Sequence, residues 1–278
     1  MSESQPDLKA ILDSPSFVLA EKDTAFLART ELRPVRLQLE LLKPEMALAD
    51  RGIDSTIVVF GSLRILDRPV LEQRRQSLAA ALAAGPGDAR VARDLARAER
   101  LLAKADYYDA ALRFAEIASS RPATGGKKYV IVTGGGPGIM EAANRGAYDA
   151  GAPSIGLNII LPTEQAPNPY ITPELCFQFH YFALRKMHFL MRARALVVFP
   201  GGFGTLDELF DALTLRQTRR MQEIPIIMYG RSYWERVIDF QFLADEGAIA
   251  DEDLQLVSYA ETPEEIWNII AHFHHFEP

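Results

Sequence analysis

The sequence contains little cysteine and little histidine. Its one cysteine, Cys176, cannot form an internal disulfide, which is typical of a reducing compartment. Five histidines are present, and no Cys/His spacing indicates a zinc site. Three of them, His272, His274 and His275, lie in the C-terminal tail, where we expect a solvated helix end. The sequence therefore predicts no bound metal.

Long apolar runs and an excess of positive charge are also missing. No apolar stretch approaches the roughly 20 residues that a membrane span needs. The segment Met1–Asp7 lacks the charged-then-apolar pattern of a signal peptide. The net charge of -7 disfavours nucleic acid and anionic membranes as partners. We expect a cytoplasmic protein that binds neither, so an anionic substrate would need a local site of amides and cations.

Short β-branched and aromatic runs alternate with helical patterns through most of the chain. Strands are predicted at residues 56–60, 129–133, 154–159, 177–179, 195–199, 224–229 and 256–259. Several are apolar on both faces, as buried parallel strands are. The alternation predicts an α/β fold, a doubly wound parallel sheet of modified Rossmann type. Ligands bind such sheets beyond the carboxyl ends of the strands.

Two regions stand outside this alternation. Residues 1–52 are predicted to form a helical N-terminal extension, and residues 53–278 a Rossmann-like nucleotide-binding domain. Within that domain, a helical insertion at about 70–120 is predicted as two helices joined by a turn at Gly85–Gly87.

Helical spacing also predicts which side chains face the sheet. The helix from about Ala183 should turn inward Leu184, Met187, Leu190 and Met191. The helix after the strand at 195–199 should bury Leu206, Leu209, Phe210 and Leu213. A further helix is expected at about 233–243.

Two strands end in loops of small residues. Gly61–Ser62 could hold a phosphate through its hydroxyl, although a plain tight turn is the simpler explanation. Gly134–Gly138 fits neither the dinucleotide pattern nor a Walker loop. We interpret Gly135 and Gly136 as freeing backbone amides for an anion at a helix N-terminus. The alternative is a turn that needs left-handed backbone.

A third loop, Pro200–Glu208, combines three glycines with a carboxylate. Thr205 and Glu208 have the spacing of a capping box, which explains them if they are taken alone. Glycines at 201, 202 and 204 exceed what capping requires, and they free amides for a phosphate. A carboxylate one turn beyond could then act on the phosphate-bearing sugar. Glu208 is thus predicted to be either a helix cap or a catalytic group.

Two adjacent cations, Arg185–Lys186, lie on a predicted helix between two strands. Such a pair usually belongs to a solvated helix face. The apolar neighbours Phe182 and Leu184 favour a position near the sheet, where a cation could balance a phosphate.

Together these motifs resemble the LOG ("lonely guy") family of cytokinin riboside 5'-monophosphate phosphoribohydrolases. The family pattern P-G-G-x-G-T-x-x-E follows R-K and, earlier, a glycine triplet. Here these motifs are Gly134–Gly136, Arg185–Lys186 and Pro200–Glu208, and the resemblance runs from about Thr56 to Tyr259. It is greatest to the longer bacterial members. It implies hydrolysis of the N-glycosidic bond of AMP or N6-modified adenylates, giving free base and ribose 5-phosphate without a cofactor.

The resemblance also implies roles for single residues. Arg185 and Glu208 would be catalytic, and Asp207 stands where many members have glutamate. The predicted substrate-binding set comprises Ser62, Gly135, Gly136, Glu164, Lys186, Gly201, Gly202, Gly204, Thr205, Asp207 and Thr214. Because the family forms homo-oligomers, we expect a dimer or a higher assembly.

Three other functions are weighed against this one. Related proteins have been labelled lysine decarboxylases, but pyridoxal phosphate needs a Schiff-base lysine, and Lys186 is the only lysine near the predicted site. A non-catalytic nucleotide-binding module would keep the glycine loops and lose Arg185 or Glu208, and both are present. A nucleosidase acting on purine and pyrimidine monophosphates stays open, since the sequence does not separate it from adenylate specificity.

Overall fold

Seven parallel strands form the sheet in the part of the chain that the computed structural model describes, residues 7–121, 128–160 and 166–275. These strands are β1 (Thr56–Phe60), β2 (Val130–Thr133), β3 (Ser154–Ile159), β4 (Cys176–Phe179), β5 (Ala193–Val198), β6 (Ile226–Tyr229) and β7 (Val257–Ala260). Their order is β4-β3-β2-β1-β5-β6-β7, and every neighbouring pair is parallel. The predicted α/β fold is confirmed.

Helices cover both faces of the sheet. They are α1 (Leu8–Leu12), α2 (Thr24–Leu27), α3 (Arg33–Asp50), α4 (Arg68–Ala84), α5 (Ala89–Leu102), α6 (Asp106–Ser120), α7 (Ile139–Asp149), α8 (Phe182–Met191), α9 (Phe203–Gln217), α10 (Arg231–Trp234), α11 (Phe240–Asp245) and α12 (Pro263–Phe273). One core packs α6, α7 and α12 against Ile57 and Val59 of β1. The other packs α3, α8 and α9 against Val58 and Phe60. Successive residues of β1 thus serve opposite cores, which explains its uninterrupted apolar run.

The strand order places three loops at one edge of the sheet. The chain runs outward from β1 to β4 and then returns to β5 on the other side of β1. This reversal is the topological switch point at which such sheets bind ligands. Ser62, after β1, joins its neighbours: its N–H donates to Pro200 O (3.0 Å), and its carbonyl accepts from Ile139 N–H (3.1 Å).

The prediction of two helices between about 70 and 120 is wrong, because three are present. The break at Gly85–Gly87 lies between α4 and α5, as predicted, but a second break at 103–105 separates α5 from α6. Phe114 of α6 is completely buried against the sheet, so α6 is the crossover helix and α4 with α5 is the inserted pair. The second break contains neither glycine nor proline, and the sequence therefore gives no signal for it.

The single helix expected at about 233–243 is also wrong. Two short helices, α10 and α11, occupy this region, and Asp239 caps α11 by accepting from Phe242 N–H. An internal N-cap of this kind starts a new helix. Across the described ranges, no helix is long and apolar enough to cross a membrane.

Candidate active site

The loop after β5 leads directly into α9. Gly202 is the N-cap residue of α9, Phe203 is its first residue, and no side chain caps the helix. Thr205 therefore lies within the first turn, and the capping box considered for Thr205 and Glu208 is wrong. The helix begins earlier than that pattern requires because Gly202 supplies the extended N-cap conformation. Glu208 consequently has no capping role.

Close packing explains only one of the three glycines in this loop. A Cβ atom on Gly201 would lie 2.1 Å from Thr205 Oγ1, so a side chain there would displace Thr205. The carbonyl of Gly201 also accepts a hydrogen bond of 2.7 Å from the Tyr233 hydroxyl. Cβ atoms on Gly202 and Gly204 would meet no described atom within 4 Å. These two glycines leave the first N–H groups of α9 uncovered, and such groups have no partner within a helix.

Glu208 is a buried carboxylate one turn into α9. Its exposed fraction is 8%, and none of the described residues donates a hydrogen bond to it. Burial raises its pKa to about 7, although Lys186 and Arg185 oppose the rise and Asp207 and Asp211 add to it. Near neutral pH, both the protonated and the ionised form are therefore populated, which suits a group that exchanges protons.

Lys186 of α8 bridges to two carboxylates of α9. Its Nζ lies 2.8 Å from Asp207 Oδ2 and 4.0 Å from Asp211 Oδ2. Burial lowers its pKa, but the hydrogen bond to Asp207 and the nearby charge of Glu208 outweigh this and raise the pKa overall. Lys186 is therefore a cation at neutral pH. The sequence predictions omitted Asp211, which a search at position i+4 from Asp207 on the helix would have found.

Arg185 lies between β3 and the glycine loop after β2. Its Nε donates to Leu157 O at 2.7 Å, and its guanidinium carbon lies 5.2 Å from the centre of the Phe189 ring. A Cβ atom on Gly134 would be 2.6 Å from Arg185 Nη2, so this glycine makes room for the guanidinium. Burial lowers the pKa of Arg185 and the charge of Glu208 raises it, which indicates that the two groups interact.

The loop after β2 uses part of its hydrogen-bonding capacity internally. Gly135 N–H donates to Thr133 Oγ1 at 3.0 Å, so it is not free for an anion, contrary to the prediction for that amide. Gly135 has a left-handed φ of 77°, and a Cβ there would lie 2.4 Å from Asn158 Oδ1. The turn with left-handed backbone is confirmed at Gly135. The N–H of Gly136 has no acceptor among the described residues, and its use for an anion stays a prediction.

Buried asparagines that the sequence predictions missed support this loop. Asn168 Nδ2 donates to Gly136 O at 3.1 Å and to Asn144 Oδ1 at 2.9 Å. Asn144 Oδ1 also accepts from the Thr133 hydroxyl at 2.7 Å. Because single asparagines have no characteristic spacing, no sequence pattern indicates this network.

Three further residues were predicted to bind substrate, and they differ in position: Ser62 lies between the glycine loops, Thr214 lies farther along α9, and Glu164 is outside the described residues. The Ser62 hydroxyl accepts from Arg64 N–H at 3.1 Å, which is a turn of the simple kind considered from the sequence. Thr214 is exposed, its hydroxyl donates to Phe210 O at 2.7 Å, and it lies about 9 Å beyond Glu208 along α9. Glu164 lies outside the described residues.

The predicted inward faces of α8 and α9 are partly wrong. Leu184, Leu190, Leu209 and Leu213 are buried, but Met187 and Met191 are 47% and 46% exposed. Phe210 is likewise exposed and Leu206 is half-buried. The predicted apolar stripe on each helix is too wide, because the sheet covers only one side of the helix.

Helix α3 of the N-terminal extension holds the helix that carries the two cations. Glu40 accepts hydrogen bonds from His180 N–H (2.7 Å) and Tyr181 N–H (3.1 Å) and so fixes the two residues that lead into α8. Glu45 is paired with Arg192 and lies 3.2 Å from His188 Nδ1. No local sequence pattern indicates these contacts, because Glu40 and its donors are remote from each other in the chain.

We expect the Glu40→Ala variant to be less stable by about 1–2 kcal/mol, because the N–H groups of His180 and Tyr181, just before α8, lose their charged acceptor. Urea unfolding measures the difference. Glu40→Gln keeps one acceptor oxygen and should lose less. Glu72→Ala, which changes an exposed glutamate on α4, is the matched control, and an equal loss in that variant would contradict a stabilising role of the Glu40 hydrogen bonds.

We expect the Glu208→Gln variant to be more stable than the parent at pH 8. A pKa raised from 4.5 to about 7 favours the folded state only while Glu208 is protonated, so that contribution is complete below pH 4.5 and is lost as the pH rises through 7. The difference at pH 8 should approach about 3 kcal/mol and should vanish near pH 4.5. Urea unfolding at both pH values, with Glu72→Gln as control, checks this. A gain that did not depend on pH would contradict it.

Among the described residues, no group of three or more His, Cys, Asp or Glu side chains could hold a metal ion.

Comparison with known proteins finds a family model and several relatives that are similar to this chain. The family model described as "Possible lysine decarboxylase" matches residues 140–270, which include Arg185, Lys186 and the Pro200–Glu208 loop. The cytokinin riboside 5'-monophosphate phosphoribohydrolase LOG of Oryza sativa subsp. japonica is 25% identical over 166 residues. The match spans 59% of this chain and 65% of the rice protein, slightly less than two thirds of its length.

Two further proteins are similar. The cytokinin riboside 5'-monophosphate phosphoribohydrolase LOG3 of Arabidopsis thaliana is 25% identical over 167 residues, 59% of this chain and 74% of that protein. The Moco carrier protein structure from Chlamydomonas reinhardtii has a TM-score of 0.45 and 16% identity, over 79% of this chain and 96% of that one. The resemblance of this chain to the LOG family, predicted from its motifs, is confirmed by the family model and by the rice and Arabidopsis relatives.

Proposed function

We propose that this protein hydrolyses the N-glycosidic bond of nucleoside 5'-monophosphates, with AMP or N6-modified adenylates as substrates. The products are the free base and ribose 5-phosphate. The observation that carries the proposal is Glu208, a buried carboxylate with a pKa of about 7 beside two cations. The relatives named as cytokinin riboside 5'-monophosphate phosphoribohydrolases support the substrate class.

The 5'-phosphate binds at the start of α9. Gly202 and Gly204 leave space there, and the uncovered N–H groups of the first turn donate to phosphate oxygens. Lys186 adds a positive charge close by, and its own carboxylate partners Asp207 and Asp211 hold it in position. The loop thus fixes the phosphate, and the ribose comes to lie toward Glu208.

Glu208 acts on the ribose carbon that carries the base. As the C1'–N bond breaks, positive charge develops on the ribose ring, and an ionised carboxylate stabilises it. The oxygen of a water molecule then bonds to C1' and Glu208 accepts one of its protons. Glu208 releases that proton to solvent, the departing base takes one proton from solvent, and the carboxylate is regenerated. Asp207 and Asp211 are held by Lys186, so Glu208 is the carboxylate available for this step. A direct, inverting attack by water follows from a single acting carboxylate.

Arg185 orients the reacting groups. Its bond to Leu157 O and its contact with Phe189 limit its movement, and its charge acts on Glu208. A guanidinium held in this way donates to the ribose hydroxyls without having to be ordered on binding. Arg185 and Glu208 are the two catalytic residues of the proposal.

A second copy of the chain is proposed as the partner. Helix α3 exposes Val35, Leu39, Leu42 and Met46, which recur every three or four residues along one stripe. Met187 and Met191 are exposed on α8, to which α3 is bound through Glu40 and Glu45. An exposed apolar stripe of this length favours burial against another protein surface. We propose a homo-oligomer, a dimer or a higher assembly; a cytoplasmic location is proposed from the sequence alone.

The activity test is incubation with a panel of purine and pyrimidine nucleoside monophosphates, with chromatographic detection of products. We expect adenine and ribose 5-phosphate from AMP, and about 10²–10⁴-fold slower release from Glu208→Gln. Glu72→Gln, which alters an exposed glutamate far from the loop in sequence, should retain full activity. Phosphate and nucleoside as products would contradict the proposal. Tight AMP binding without base release would indicate a non-catalytic binding module.

The same assay has a pH dependence that follows from Glu208. Because the ionised carboxylate acts, kcat/KM should rise with pH and reach half of its maximum near pH 7. The residual rate of Glu208→Gln should lack this rise. A parent profile that stays flat between pH 5 and 8 would assign the activity to another group.

The assembly is tested by sedimentation velocity over a range of concentrations. We expect the parent to sediment as a dimer or larger, and Leu39→Lys/Leu42→Lys to shift toward monomer, because charges on the stripe oppose its burial. Val237→Lys replaces an exposed apolar residue outside these helices and should leave the assembly unchanged. A parent that is monomeric at all concentrations would contradict the proposal.

A further inference from the structure

Two adjoining cavities lie at the inserted helices. The first is formed by α4, α5 and the loop after β1, and the second is lined by α5 alone. One has a volume of about 350 Å³ and the other of about 440 Å³, and Asp94 and Arg97 line both. Five arginines are among the residues that line them. We name these residues together the arginine groove: Arg64, Arg74, Arg90, Arg93 and Arg97.

The positive charge of the arginine groove is largely uncompensated. Arg97 lies 3.2 Å from Asp94, and within the described structure no carboxylate lies within 4.0 Å of the other four guanidinium groups. Residues 64–104 contain nine Lys or Arg and five Asp or Glu, a net charge of +4. The rest of the chain carries -11, since the total is -7. A basic groove on an acidic protein concentrates anions locally.

The groove is attached firmly to the body of the protein. Arg68 of α4 is paired with Asp106 of α6 at 2.5 Å, and Asp67 lies 3.7 Å from Arg145 of α7. Arg64 N–H donates to the Ser62 hydroxyl, and Ser62 in turn bonds the loops after β2 and β5. The groove is therefore adjacent to the candidate active site but is built from different residues.

We propose that the arginine groove binds a small molecule that carries several linked phosphate groups. Guanidinium groups bind phosphate oxygens in pairs of parallel hydrogen bonds, so several arginines suit several phosphates. Leu63, Leu66 and Leu101 add an apolar wall that accommodates a ring attached to such a chain. A longer polyanion such as nucleic acid is disfavoured, because it would extend from the groove over the acidic remainder of the chain.

The test is isothermal titration of the full chain with sodium tripolyphosphate, the probe for linked phosphates. We expect saturable binding whose affinity decreases with added salt. The affinity should also fall about tenfold in each single variant, Arg64→Gln and Arg74→Gln, and further in the double variant Arg64→Gln/Arg74→Gln. Arg33→Gln/Arg236→Gln removes the same total charge as the double groove variant and should change the dissociation constant by less than twofold. Thermal unfolding verifies that each variant is folded.

Three outcomes would overturn the proposal. They are an absence of saturable binding, an equal loss in Arg33→Gln/Arg236→Gln, and displacement of tripolyphosphate by saturating AMP, which would mean that both occupy one site. Tighter binding of a 20-nucleotide single strand than of tripolyphosphate would also overturn it, in favour of nucleic acid. Base release is not measured in this experiment, so a failure of the proposed hydrolysis leaves its result intact.

Discussion

The burial of the Glu208 carboxylate is the constraint on which the rest of the site depends. An ionised carboxylate out of water is costly unless fixed cations compensate it. Lys186 and Arg185 supply that compensation only in part, since the pKa still rises to about 7. The proposed mechanism needs this incomplete compensation, because a fully paired carboxylate would stay ionised and would accept no proton from water. At neutral pH the folded protein is therefore less stable than it would be with an uncharged residue in place of Glu208.

The two cations in turn depend on interactions far from the reaction. Both belong to α8, and the segment that leads into α8 is hydrogen-bonded to Glu40, from a helix about 140 residues earlier in the chain. Glu45 contacts the end of the same helix through Arg192. The N-terminal extension is therefore part of the support for the site. A small displacement of α8 would change the distances from both cations to Glu208, and hence its pKa.

Local patterns predicted the strands and the loops well, for identifiable reasons. An apolar run such as Thr56–Phe60 indicates a buried strand wherever it occurs, because both of its faces need a partner. The capping box predicted at Thr205 is wrong although its local pattern is present, because α9 begins earlier, with Gly202 as its N-cap residue. Met187 and Met191 are exposed although helical spacing predicts that they face inward, because that spacing describes one helix and not the elements that cover it. The asparagine network around Asn144 and Asn168 has no periodicity at all, so only contacts in space identify it.

The sequence by itself determined the order of strands and helices, the three loops of small residues at the carboxyl ends of strands, and the motif that carries Glu208. These features depend on residues close together in the chain. Only the tertiary structure decided the protonation behaviour of Glu208, the occupied amide of Gly135 and the charge of the arginine groove. Each of them is set by burial and by distances between residues that are remote in sequence. Electrostatic free energies depend on the burial of each charged group and on the distances between groups, and a local sequence pattern indicates neither.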